Sequence, residues 1–181
     1  MTTIVYRDGY IAADTRAYSG GSQPMGQKQK INRVQFSDGT LVSFGISTPH
    51  PGLSEEIRDW FASEKSGDAE PNLNGRGFDC IEVRSDGSVY FYNDSFIPTG
   101  PLAGDYFAIG SGAEYALGAM AMGADAARAV QVAAEFDVWT GGVVQHVCAF
   151  PEEPDDKALN IEVIERHIEN EDDAEIPAEA A

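Results

Sequence analysis

The sequence predicts an α+β domain of layered antiparallel sheets covered by helices. Asp-Gly pairs at 8–9, 38–39 and 86–87 each stand between apolar, strand-prone runs, a strong local signal for a tight antiparallel hairpin. The helical segments are few and do not alternate with single strands, which argues against a doubly wound βαβ fold. Two of them are rich in alanine, whose small side chain allows close packing against neighbours.

Residues 2–14 read as two strands around Arg7-Asp8-Gly9, and 15–28 (TRAYSGGSQPMGQK) as a loop. A second hairpin follows, KINRVQF and LVSFGI, turned on Ser37-Asp38-Gly39. After the Pro-rich break STPHPG, the stretch LSEEIRDWFASEK has Ile57, Trp60 and Phe61 at helical spacing. Ser54 is its expected N-cap, with Glu55 and Glu56 favourably placed in the first turn. Residues 66–77 are expected to be loop, and FDCIEVR-SDG-SVYFYN the third hairpin. GPLAGDYFAIGSG then leads into two Ala-rich helices broken at Gly123. Ser111 with Glu114 fits a capping box at the first, and Asp125 caps the second. GGVVQHVCAF supplies a last strand, ending a domain expected over 1–150. In the remainder, 151–181, a short helix over 157–169 is expected, although Leu159, Ile161, Ile164 and Ile168 mix helix and strand spacing.

The 181 residues and 43% apolar content suit one globular domain. The net charge of -18 is uneven: 1–150 carry 18 acids and 10 bases, whereas 151–181 carry 12 acids and 2 bases. Nucleic acid is not an expected partner, because no cluster of lysine and arginine is present. No apolar run approaches the ~20 residues that cross a bilayer, and the N-terminus lacks the pattern of a signal peptide. Cys80 and Cys148 are too few for a disulfide framework. A cytoplasmic protein with two reduced thiols is expected.

Among chemistry-bearing residues, His50, His146 and His167 are scattered and none adjoins a nucleophile signature such as GxSxG. No Cys/His pair has metal-ligand spacing, and the GSG and TGG pieces lack the Walker and dinucleotide patterns, so no metal or cofactor is expected. The remaining candidate is the N-terminal stretch TTIVYRDGYIAAD. Removal of Met1, favoured by a small second residue, would leave Thr2 with a hydroxyl and a free α-amine. An α-amine with a pKa of about 7.7–8.0 is partly a free base near neutral pH. One residue then holds both nucleophile and proton acceptor, and no histidine is required.

TTIV…GYIAADTR, the lysine of KQKI, AIGSGAEYALGAM and DVWTGG occur in that order over roughly residues 2–150. Together they resemble the proteasome β-subunit superfamily, within it the HslV-type peptidase that works with a ring ATPase. The resemblance implies an N-terminal nucleophile (Ntn) hydrolase: a four-layer α/β/β/α sandwich of two antiparallel sheets between helices. It implies Thr2 as nucleophile, with Asp14 and Lys30 as an ion pair beside it, sixteen residues apart as in the family. It places Ser111, Asp137 and Thr140 as hydrogen-bonding supports of the terminal amine, Gly45 at the oxyanion hole and substrate pocket, and Arg16 as a structural residue. Hydrolysis of polypeptide inside a homo-oligomeric ring, served by a separate AAA+ ATPase, is the activity it implies.

The first hairpin is about four residues shorter than in the family, an even number per strand that preserves which face each side chain takes. After LVSFG the family has small residues, whereas Ile46, Ser47 and Thr48-Pro49-His50-Pro51 follow here. With the acidic tail and a retained Met1, these departures suit a second reading, a catalytically silent ring or scaffold protein. An amidase of the same fold acting on small molecules is a third.

Overall fold

A computed structural model describes residues 2–18, 23–150 and, as backbone, 162–164. The first hairpin joins β1 (Thr3–Arg7) to β2 (Tyr10–Asp14) in the register Ile4↔Ala13 to Arg7↔Tyr10. Asp8 and Gly9 both take positive φ, the two-residue turn whose twist matches paired strands. The stretch expected to be loop contains a further hairpin, β3 (Arg16–Tyr18) with β4 (Pro24–Gln27). Next come β5 (Ile31–Gln35) and β6 (Leu41–Ser47), α1 (Leu53–Ala62), β7 (Asp79–Arg84) and β8 (Val89–Asn93). Then follow β9 (Tyr106–Gly110), α2 (Ala113–Ala121), α3 (Ala126–Phe136), β10 (Val144–Cys148) and β11 (Glu162–Ile164).

Two main sheets result, one ordered β11-β10-β2-β1-β9 and one ordered β5-β6-β7-β8, with antiparallel pairing throughout. Helices α2 and α3 pack on the first sheet and α1 on the second. Strand alternation explains how one sheet serves two cores. Ile4, Tyr6, Ile11 and Ala13 face the opposite sheet, while Val5 and Ala12 face Ala116, Met120, Ala129 and Ala133 of the helices. On the second sheet Val42, Phe44 and Ile46 meet Ile57, Trp60 and Phe61 of α1. The order is therefore α/β/β/α, with an apolar layer at each of its three junctions. Gly45 sits at the sheet-to-sheet junction, where a Cβ would fall 2.6 Å from Ile4 Cγ2.

Several local expectations need correction. Ser54 is not the N-cap of α1. Gly52 holds that position with φ 85°, and the Ser54 hydroxyl instead accepts from Lys28 Nζ at 2.7 Å. Ser111 does not cap α2, since Gly112 is the N-cap and no side chain bonds the helix there. Asp125 does cap α3, its carboxylate accepting from Arg128 N at 2.7 Å. The run YFAIG is a strand, β9, paired with β1 from Arg7↔Tyr106 to Thr3↔Gly110. The expected helix over 157–169 is contradicted at 162–164, which pair as a strand with β10; its other residues lie outside the described ones. Among the described residues no helix is long and apolar enough to cross a membrane.

Candidate active site

The hairpin β1–β2 returns the chain so that its first and last residues meet. Thr2 Oγ1 donates to Asp14 Oδ1 at 2.7 Å, and Thr3 N donates to the same oxygen at 2.9 Å. Lys30, just before β5 on the opposite sheet, donates from Nζ to Oδ1 at 2.8 Å. Arg16 N and Gly141 N donate to Oδ2 at 3.2 and 3.0 Å. An ionised carboxylate is acceptor-only, and these five donors suit one. Burial disfavours the charged form of Lys30 and lowers its pKa, against the opposing pull of Asp14. The lysine backbone is fixed as well, because Lys30 N donates to Gln145 Oε1 of β10 at 3.1 Å.

A second polar group adjoins the first. Ser111, following β9, donates from N to Thr2 O at 2.8 Å and from Oγ to Asp137 Oδ2 at 2.7 Å. Thr140 Oγ1 donates to that Asp137 oxygen at 2.5 Å and lies 2.6 Å from Thr3 Oγ1. Trp139 N closes the turn on Asp137 Oδ1 at 3.2 Å. Thr2, Asp14, Lys30, Ser111, Asp137 and Thr140 are thus one connected hydrogen-bonded group, assembled from both main sheets and the two loops that flank α2 and α3.

Thr2 and Lys30 open onto a cavity of about 350 Å³. Its lining includes Ile46 and the Thr48–Pro51 turn, Arg16, Tyr18 and Trp139, and Lys28 with Ser54. Gly45 is not in the wall; its neighbour Ile46 is. His50, expected only as a loop residue, faces the cavity, whereas His146 stacks on Tyr10 at 6.0 Å. Thr3, Gln145, Lys28, Tyr18 and Trp139 were not among the sequence candidates. For Lys28 the sequence signal is its place two residues before Lys30.

No protein-family model and no curated protein matches the sequence, so solved structures alone carry the comparison. BPH from Thiobacillus denitrificans, solved with epoxomicin, superposes with TM-score 0.55 over 80% of this chain and 95% of its own, at 23% identity. HslV from Trypanosoma brucei gives 0.57 over 80% and 96%, at 16% identity. The chain shares the fold of these two proteins. Anbu from Hyphomicrobium sp. strain MC1 extends the likeness, with TM-score 0.58 over 82% of this chain and 81% of its own, at 12% identity. In this proteasome-like fold the connected group around Thr2 lies where the N-terminal end of the first hairpin, β5 and the loop after β9 converge.

Proposed function

We propose that the protein is a threonine-type peptidase whose nucleophile is Thr2, exposed as the terminal residue by removal of Met1. The observation that carries this reading is the sharing of one Asp14 oxygen by the Thr2 hydroxyl and the Lys30 ammonium, at 2.7 and 2.8 Å, beside an open cavity. The Thr2 oxygen attacks the scissile carbonyl and its proton passes to the α-amine of the same residue. The tetrahedral intermediate then collapses: the C–N bond breaks, the leaving amine takes that proton, and an ester joins the acyl part to Thr2. Water, deprotonated by the same amine, hydrolyses the ester and frees the threonine.

In this reading Asp14 holds Lys30 and the hairpin end in place, and the cation favours the deprotonated forms of hydroxyl and amine. Ser111, Asp137 and Thr140 position the backbone of Thr2, and Gly45 acts at one remove, its missing side chain letting the sheet that carries Ile46 approach Ile4. The activity is placed in residues 1–150, with the acidic 151–181 outside it. Exposed apolar residues on the α2–α3 side, Tyr115, Met122, Phe136 and Val138, support a homo-oligomer. A sheltered site of this kind would take unfolded polypeptide from a separate ATPase.

A second reading, a silent ring protein, draws support from one feature. Ile46 occupies the wall beside Thr2 where a smaller residue would leave more room for a substrate carbonyl. Release of aminomethylcoumarin from peptide amides by the Met1-free protein separates the two. The peptidase reading expects turnover abolished in Thr2→Ala, and absence of any turnover, with or without an unfoldase, favours the silent ring.

A further inference from the structure

The chain carries a net charge of -18, yet among the described residues the cavity beside Thr2 is lined by Arg16, Lys28, Lys30 and His50 and by no Asp or Glu. The four differ in what they could offer a ligand. Lys30 is engaged with Asp14 in a buried pair. Arg16 is held along the wall, donating to Val138 O at 3.3 Å, and its guanidinium covers Gly141. Lys28 is different. Its Nζ contacts Ser54 Oγ at 2.7 Å and Glu55 Oε1 at 3.1 Å, with both side chains of the ion pair well exposed, 40% and 48%. A pair so wetted is weak and exchanges partners readily. The Lys28 backbone, by contrast, is pinned through Lys28 N to Thr15 O at 2.8 Å, so the side chain pivots from a fixed root.

The walls suit the stem of a short acidic side chain. Ile46, Pro49 and Pro51 offer apolar contact for methylene groups, and the same lining carries cationic ends. Long-range repulsion from the acidic surface does not decide the matter, because salt screens it beyond about 8 Å. Contact charges inside a cavity are screened much less.

We propose that this cavity selects substrates with Glu or Asp immediately before the scissile bond, and that Lys28 is the specificity-determining residue, exchanging Glu55 for the substrate carboxylate. The inference rests on the peptidase reading for its link to cleavage, but binding in the cavity is measurable without it.

The test uses the full-length, Met1-free protein and two series of peptides, dansyl-Ala-Ala-X amides for binding and acetyl-Ala-Ala-X aminomethylcoumarides for turnover, with X as Glu, Leu or Lys. Glu should bind about tenfold more tightly than Leu, the size of one charge-assisted hydrogen bond gained, and Lys most weakly. Lys28→Met should erase the difference, Lys28→Arg should keep it, and Lys28→Glu should invert it in favour of Lys. Equal binding of Glu and Leu, no binding of any peptide, or a Glu preference that survives Lys28→Met and Lys28→Glu would overturn the proposal. A Lys28-dependent Glu preference without turnover supports the selectivity and sinks the peptidase. Turnover without that preference does the reverse.

Discussion

Lys30 Nζ lies 2.8 Å from Asp14 Oδ1, with the two side chains only 3% and 1% exposed. A charge pair so deeply placed is expensive to desolvate, and its breakage leaves one ion stranded. The pair also joins the two sheets, since Asp14 ends β2 and Lys30 precedes β5.

Lys30→Met should therefore destabilise the protein by about 3–5 kcal/mol, the usual cost of stranding a buried partner, and abolish turnover. Its pH dependence is also set. The folded state lowers the pKa of Lys30 mainly through burial. Between that lowered value and the unfolded value near 10.5 the unfolded chain holds more protons, so stability attributable to this group rises with pH there and is least below the folded pKa. Urea unfolding of the wild type at increasing alkalinity should show this positive slope relative to Lys30→Met. A slope of the opposite sign would contradict it.

Ser111→Ala removes a donor to Asp137 while leaving the Ser111 N–H on Thr2 O. Loss of one hydrogen bond to a charged group should cost about 1.5–3 kcal/mol. As a positioning residue, Ser111 should affect kcat more than KM, with a fall in kcat of about 10–100-fold from misplacement of Thr2. Steady-state kinetics and urea unfolding check the two parts.

Two glycines of the same region should respond in opposite directions. A Cβ at Gly112 would run into Thr3 Oγ1 and lie 2.9 Å from Thr140 Oγ1, so Gly112→Ala should cost about 1–3 kcal/mol and lower activity. Gly118, inside α2, has nothing within 4 Å of such a Cβ, and Gly118→Ala should stabilise by about 0.5–1 kcal/mol. Thermal unfolding of both variants reads the contrast.

Phe136 is 61% exposed and stacks on Tyr115 at 5.7 Å. If this face joins subunits, Phe136→Glu should shift the sedimentation coefficient toward the monomer with little change in monomer folding. An unchanged coefficient would remove the face from the assembly.

The legible parts of the fold were those with local chemistry. Asp8-Gly9 supplies the positive φ angles of its turn, and Asp125 caps α3 with its own carboxylate. What was not legible depends on distant partners. β4 is Pro-Met-Gly-Gln, exposed throughout and without alternation, so nothing in it announces a strand. β9 is a strand because β1 pairs with it. Ser54 and Ser111 look like caps from sequence, but Gly52 and Gly112 hold the N-cap positions and the two hydroxyls turn to Lys28 and Asp137. Thr2 is a candidate from the chemistry of the terminus, Asp14 and Lys30 from the resemblance, and the three lie within hydrogen-bond reach. Lys28, Tyr18 and Trp139 were missed because they meet only around the cavity, which the β3–β4 excursion helps to build.

The measurement that bears most directly on the central claim is the intact mass of the purified protein before and after an epoxyketone such as epoxomicin, whose ring closure requires a hydroxyl and an amine on one residue. A Thr2 nucleophile requires a mass lacking methionine and a single adduct, absent in Thr2→Ala. A Met1-free protein that remains unmodified at saturating probe would contradict it.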